Sequence, residues 1–125
     1  LIENQTSTIW QILNHLIIWQ DYQIERLCEN NPKEINELDT WFAEKNISNQ
    51  SILNNKIDKF EKQIEKIKME VSSMTIEENN IFEKLKIIQD LTAHLSFHLG
   101  EIVLIMRQNG HYPMPNEMKK FLKVE

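Results

Sequence analysis

The chain has 125 residues, of which 41% are hydrophobic, and carries a formal net charge of −5 with a pI near 5.4. This length and apolar content suit one compact domain with a single core over residues 1–125. Only two glycines and three prolines occur among many Leu, Ile, Lys, Glu and Gln residues, which excludes a turn-rich β architecture and predicts an all-α fold. The negative charge argues against nucleic acid as a partner, because phosphate binding needs a basic face.

Cysteine use and hydropathy together predict a cytoplasmic protein. Cys28 is the only cysteine, so an intramolecular disulfide is excluded and a reducing compartment is favoured. No apolar run approaches the roughly 18–20 residues of a membrane-spanning helix, so no membrane association is expected. The residues after Leu1 lack the basic and apolar regions of a secretory signal. Because Leu1 is not a methionine, we expect some upstream chain to be missing.

The first predicted helix begins at Thr8. Thr8 and Gln11, three residues later, match a capping box, in which each side chain satisfies a free backbone N–H of the other residue. Apolar residues then recur at helical spacing, with His15 about two turns into the helix. The Asn-Asn-Pro sequence at residues 30–32 should end this helix, since the residue before a proline disfavours helical backbone angles.

A mixed connection separates this helix from the second one. Residues 33–47 are expected to contain one short helical turn, whose Trp41 and Phe42 cover one end of the bundle; ligand contact is the alternative for this pair. The second helix is predicted over residues 51–72 and is either a core helix, which we favour, or an exposed dimer zipper. Its apolar seam consists of Leu53, Ile57, Phe60, Ile64, Ile67 and Val71.

The third helical segment is predicted to run as far as Asn109. Thr75 and Glu78 form a second potential capping box, although a break within residues 79–85 is plausible because asparagine is a poor helix former. Gly110 is the expected residue just beyond the helix end, and two prolines prevent continuation. The three amphipathic helices predict an antiparallel four-helix bundle, since broad apolar stripes need a partner surface.

The fourth helix of this bundle has two candidate sources. It either precedes Leu1, which we favour, or is built from residues 33–47 and the C-terminal tail.

Two histidines on the third helix are the main functional signal. His94 and His98 are four residues apart and therefore lie on one helix face, where both imidazoles can reach one ion. Alone, this pair can also be two histidines that merely share a face. Their neighbours are apolar, as are those of His15, and buried imidazoles need hydrogen-bond partners or a metal. Three neutral imidazoles with an open position suit zinc or nickel.

Residues near this pair have weaker alternatives. Glu101 and Asp90 lie one turn from a histidine and either orient a ligand or are surface carboxylates, which we favour. Gly100 is expected to allow close helix packing, because glycine otherwise weakens a helix. His111 is expected on the surface rather than as a fourth ligand. Arg107 is expected to pair with an acid, and substrate binding is the alternative that we favour less.

Three segments resemble the DinB/YfiT-like superfamily. They are the Ile-Trp-Gln-Ile-Leu-Asn-His-Leu segment at residues 9–16, the His-x-x-x-His-Leu-Gly-Glu-Ile segment at residues 94–102, and the Arg-Gln-Asn-Gly-His-Tyr-Pro segment at residues 107–113. The resemblance implies a DinB-like four-helix bundle in which His15, His94 and His98 bind a divalent metal ion. The family's first helix has no counterpart here, which implies that it lies upstream of Leu1.

The resemblance also implies a class of activity. Members of the superfamily include metal-dependent S-transferases that use small thiols, so we expect a zinc- or nickel-binding protein that transfers a low-molecular-weight thiol to a small electrophile. A homodimer is the family-based expectation. The alternative is a non-catalytic helical stress or interaction protein, in which the histidine site is structural or vestigial. A zincin-type peptidase is not expected, because no glutamate lies between the paired histidines.

Overall fold

Helices dominate the part of the chain that the structure describes. The computed structural model describes residues 7–123, in which there is no β-strand. The long helices are α1 (Ile9–Leu27), α2 (Gln50–Ser73) and α3 (Ile81–Gln108). Two 3₁₀ segments (Glu37–Trp41 and Pro115–Glu117) and the one-turn helix α4 (Met118–Phe121) complete the described elements. The all-α prediction is confirmed. The prediction that a further helix precedes Leu1 falls outside the described residues.

None of the helices in residues 7–123 is both long enough and apolar enough to cross a bilayer.

The start of α1 confirms the predicted capping box. The backbone N–H of Gln11 donates to Thr8 Oγ1 at 3.2 Å, and the backbone N–H of Thr8 donates to Gln11 Oε1 at 3.0 Å. The helix ends at Leu27, earlier than the Asn-Asn-Pro sequence predicts, because Glu29 adopts a left-handed conformation with φ 62°. The backbone N–H groups of Glu29 and Asn30 then bond back to the last turn, which satisfies its free carbonyls.

Helix α1 is the centre of the described fold. Both α2 and α3 pack against it, and no Cα atom of α2 lies within 8 Å of one of α3. The apolar core accordingly comes mainly from α1, with a smaller part from α3. Its buried members are Trp10, Ile12, Leu16, Ile17, Ile24, Leu27, Ile81, Ile87 and Leu91.

The two partners of α1 run in opposite directions. The α2 residue Gln63 contacts Ile17, and Glu70 further along α2 contacts Cys28, so α1 and α2 are parallel. Helix α3 meets α1 in the reverse order: Asn80, just before α3, donates to Glu29, just after α1, whereas His98, further along α3, meets His15 nearer the start of α1. This order confirms antiparallel packing for that pair. The parallel pair follows from the connection over residues 28–49, which returns the chain to the start of α1, where Thr8 Oγ1 donates to the Lys45 carbonyl at 2.8 Å.

The shorter elements do not supply a fourth long helix. Residues 33–47 contain only the 3₁₀ segment Glu37–Trp41, and the described C-terminal residues form only α4. Trp41, at the end of the 3₁₀ segment, packs against α1. Phe42, the next residue, is 61% exposed and does not cover the bundle end as predicted. Helix α2 is likewise only partly covered, since Gln63 is its one buried residue.

Helix α3 begins later than the second capping-box prediction, but ends as expected. The backbone N–H of Thr75 donates to Glu78 Oε2 at 2.7 Å within a turn, and the helix starts only at Ile81, inside the predicted break. At the other end Gly110 has φ 75°, and the N–H of His111 reaches back to a carbonyl of the last turn at 2.7 Å. This arrangement confirms Gly110 as the residue just beyond the helix.

Two expectations about α3 are wrong. A Cβ built on Gly100 meets no atom of the described residues within 4 Å, so close helix packing among them does not explain this glycine. Arg107 does not pair with an acid in the described structure: its Nε donates to the Pro113 carbonyl at 2.7 Å, and its guanidinium lies 5.5 Å from the Tyr112 ring centroid. Arg107 therefore fastens the turn that follows α3.

Replacing Gln63 with alanine should destabilise the fold. Gln63 Nε2 donates to the Ile17 carbonyl and to Asp21 Oδ1, while its Oε1 accepts from Gln20 Nε2 at 2.8 Å. Losing these buried bonds should lower the free energy of unfolding by about 2 kcal/mol, measured by urea denaturation. Gln89→Ala, at an exposed position of α3, is the control and should change it by less than about 0.5 kcal/mol.

Replacing Gly100 with alanine should stabilise the protein. The site is exposed and helical and has no close neighbour among the described residues, so alanine brings its higher helix propensity without a clash. The free energy of unfolding should rise by about 0.5–1 kcal/mol in the same denaturation experiment. A loss of stability would mean that α3 carries a close neighbour at this position.

Candidate metal centre

Three histidines from two helices meet at one point. His15 comes from the middle of α1, and His94 and His98 come from successive turns of α3. Each of the three Nε2 atoms lies 3.1 Å from the other two. The sequence-based prediction that these residues come together is therefore met by the geometry. They are also the one group of metal-ligating side chains of this kind found within the described residues.

The cluster is shielded from solvent. His15 is 1% exposed and His98 is 6% exposed, while His94 is half-buried. The indole of Trp41 stacks on the His15 ring, with centroids 3.9 Å apart and an angle of 11° between the planes. This contact supports ligand contact, the alternative interpretation of Trp41, because the side chain belongs to the site as well as to the packing.

The tautomer of His15 is determined by Thr40. The Thr40 hydroxyl donates its one proton to the Glu37 carbonyl at 2.7 Å, so its oxygen can only accept from His15 Nδ1, 2.7 Å away. Neutral His15 therefore carries its proton on Nδ1 and presents a lone pair at Nε2. Sequence reasoning missed Thr40, which is fully buried in a connection without helical periodicity.

Glu101 determines the tautomer of His98 in the same way. Its Oε1 lies 2.5 Å from His98 Nδ1, and an ionised carboxylate can only accept. Neutral His98 thus also presents a lone pair at Nε2. The interpretation of Glu101 as an orienting residue is supported over the surface interpretation that the sequence favoured. No hydrogen bond of this kind is found for Asp90, which is exposed on the cavity wall.

Burial keeps the imidazoles of His15 and His94 neutral. Loss of solvent, followed by the nearby His98 and His94, lowers the pKa of His15 to about 4. Burial, followed by His98, also lowers the pKa of His94, although Glu37 opposes this shift. Neutral imidazole is the form that ligates a metal ion.

Three neutral imidazoles in this arrangement carry too few N–H protons for every pair of Nε2 atoms to form a hydrogen bond. Between His15 Nε2 and His98 Nε2 two lone pairs face each other. One N–H from His94 can serve only one of these two nitrogens as its main acceptor. Two nitrogen ligands about 2.0–2.1 Å from one ion, at angles of roughly 90–110°, are separated by about 2.8–3.4 Å. The observed spacing of 3.1 Å lies in this range, so the three residues fit a shared metal ion.

A cavity of about 570 Å³ opens beside the cluster. His94 and His98 form part of its wall, so a ligand in the cavity can reach this side of the histidine cluster. Aromatic and aliphatic side chains line much of the remainder, and volume and lining are those of a small-molecule site. The aromatic members of the wall are Trp19, Trp41 and Phe97.

Two other side chains that can carry chemistry, His111 and Cys28, lie outside the site. His111 is exposed in the turn after α3, as expected from the sequence. Cys28 is partly buried, and desolvation together with Glu70 raises the pKa of its thiol. A thiol with a raised pKa is a poor nucleophile at neutral pH, which agrees with a packing role.

The fold and the site define an all-α protein with a buried three-histidine cluster. Comparisons of the chain with known protein families, with curated proteins and with solved structures find no significant match. The resemblance to the DinB/YfiT-like superfamily therefore stays a prediction.

The depressed pKa of His15 predicts acid sensitivity of the metal-free protein. Between about pH 6.5 and 4 the unfolded chain binds a proton at His15 that the folded chain does not, so folding stability falls as the pH falls through this window. His15→Gln should flatten this part of a plot of unfolding free energy against pH. His111→Gln is the matched control, and an equal slope in wild type and His15→Gln would contradict the prediction.

Proposed function

We propose that this protein binds a divalent metal ion, zinc or nickel, through His15, His94 and His98, as a DinB-like four-helix bundle does. We further propose that it is a metal-dependent S-transferase for a low-molecular-weight thiol. The observation that carries the proposal is the triangle of Nε2 atoms, 3.1 Å apart, with lone pairs directed together by Thr40 and Glu101. A divalent cation is the simplest species that satisfies all three nitrogens at once.

The donor set favours an open, reactive site over a closed structural one. Three protein ligands with neutral imidazole nitrogens are typical of catalytic zinc, in which a further position is left for water or substrate. The adjacent cavity supports this assignment, because His94 and His98 lie on its wall. A divalent ion bound here would favour the thiolate form of a coordinated thiol and so increase its reactivity toward an electrophile.

The chain's own residues supply orientation and shelter. Thr40 and Glu101 hold two imidazoles in the ligating tautomer, and the stacked Trp41 restricts the His15 ring. The apolar wall residues would exclude water from an electrophile and hold its carbon skeleton. Once the thiolate sulfur bonds to the electrophilic carbon, the displaced group leaves with its electron pair. No side chain here is assigned as a general base.

Metal binding by the untagged protein tests the proposal. Protein purified without a histidine tag, incubated with zinc or nickel and dialysed, should retain about one ion per chain by elemental analysis. His15→Ala, His94→Ala and His98→Ala should each abolish this retention, since each removes a ligand. His111→Ala is the matched control and should retain the ion, because His111 is exposed outside the cluster.

Glu101→Gln gives a graded version of the same experiment. The amide keeps the side-chain size but accepts more weakly from His98 Nδ1, so zinc affinity should fall by about 10–100-fold without loss of the site. Unchanged metal content in all three histidine variants would reject the metal site. Metal binding without thiol transfer to a panel of small electrophiles would reject the transferase activity alone.

A non-catalytic interaction protein is the second candidate. It is supported by large apolar side chains exposed on the described helices, among them Val71 at 45%, Phe82 at 84% and Leu85 at 50%. Self-association through these residues should then persist in a variant lacking all three site histidines. Sedimentation of that variant and of Phe82→Ser separates the two candidate functions. An oligomer that depends on the histidines would argue against the interaction protein, and so would a protein that is monomeric at all concentrations.

A further inference from the structure

The cavity beside His94 and His98 carries charges of one sign. Glu37, Asp90 and Glu101 lie on its wall, and no lysine or arginine is among its described lining residues. A divalent ion held by three neutral imidazoles would offset two of these three negative charges. The cavity therefore stays net negative with the ion bound, and it becomes more negative when a thiolate enters. This charge distribution disfavours an anionic ligand.

One residue of the same wall, Gln20, has a buried acceptor without a partner among the described residues. Gln63 Nε2 donates to both Ile17 O and Asp21 Oδ1, so the opposite atom of this amide, Oε1, must accept from Gln20 Nε2. The orientation of the Gln20 amide follows, and its Oε1 is left without a partner although Gln20 is only 2% exposed. Because Gln20 is one of the residues that line the cavity, this unpartnered acceptor lies at the wall or just beneath it.

The aromatic part of the wall suits the same ligand. Trp19, Trp41 and Phe97 line the cavity, and the negative faces of such rings attract ammonium groups. The buried Trp19 Nε1 also lacks a partner among the described residues. Carboxylates, a free amide oxygen and aromatic faces are independent features that favour a positively charged group.

We propose that the cavity takes a small amine-bearing thiol, whose sulfur lies toward the histidine cluster and whose ammonium group lies among Glu37, Asp90 and Gln20, and that it discriminates against carboxylate-bearing thiols. This inference rests on the proposed metal-dependent thiol function and adds the charge class of the thiol. An ion held by the three histidines would take the thiol as its thiolate, with the proton lost to solvent. An aminothiol then enters with no net charge, whereas a carboxylated thiol of similar length brings two negative charges.

Binding to the cobalt-loaded protein tests this charge preference. Cobalt(II) replaces zinc as a visible probe, and sulfur coordination gives a charge-transfer band that reports thiol affinity without any turnover. The probes are 2-aminoethanethiol and 3-mercaptopropionate, which are similar in length and opposite in charge. Because their thiols differ in acidity, the quantity of interest is the change in their affinity ratio between wild type and variants.

Neutralising the two carboxylates that do not contact the histidines should reduce this ratio. In the double variant Glu37→Gln/Asp90→Asn, the preference for the aminothiol should fall by about tenfold or more, since each lost charge at short range changes affinity severalfold. Affinity for uncharged 2-mercaptoethanol should change by less than about twofold. Glu83→Gln, at an exposed α3 position outside the cavity wall, is the matched control and should leave the ratio unchanged.

Two outcomes, both in protein that binds cobalt, overturn the proposal and leave the proposed metal site intact. The first is an equal affinity ratio in wild type and the double variant. The second is the absence of a sulfur charge-transfer band with either thiol. If cobalt does not bind, the proposed function fails. The charge preference of the cavity is then tested by NMR titration of the metal-free protein with 2-phenylethylamine and 3-phenylpropionate. Absence of an amine preference in that titration would overturn the charge assignment separately.

Discussion

Buried polar side chains on α1 connect this helix to each of its packing partners. His15 meets Thr40 of the 3₁₀ segment on one side of its ring and His98 of α3 on the other. Gln20 meets Gln63 of α2. A buried polar atom without a partner costs about 1–3 kcal/mol, so each contact favours one register of its element against α1. The histidine cluster and the helix packing are therefore products of the same constraint.

Local sequence patterns predicted the parts of the fold that depend on neighbouring residues. The capping box at Thr8 and the helix end at Gly110 each involve only a few consecutive residues, and both are present. The spacing of His94 and His98 likewise fixes a shared helix face. The approach of His15 depends on tertiary packing, and its apolar neighbours were the available signal.

Features that depend on long-range contacts were beyond such patterns. Thr40 lies in an irregular connection, and Gln63 is a polar residue in an otherwise ordinary helix, so neither stands out before the elements are assembled. The parallel direction of α2 depends on the path of residues 28–49, which periodicity does not encode. A glycine in a helix, such as Gly100, can reflect either a close neighbour or tolerance of an exposed position, and only the packing around it distinguishes these causes.

The separation of α2 from α3 has a mechanical consequence. Because their backbones do not meet in the described fold, a small rocking or sliding of α2 along α1 need not move His94 or His98, which belong to α3. The Gln20–Gln63 bond is the buried polar link through which such a displacement could reach the cavity wall. Helix α2 can thus tolerate changes on its outer surface while the geometry of the three imidazoles stays constant.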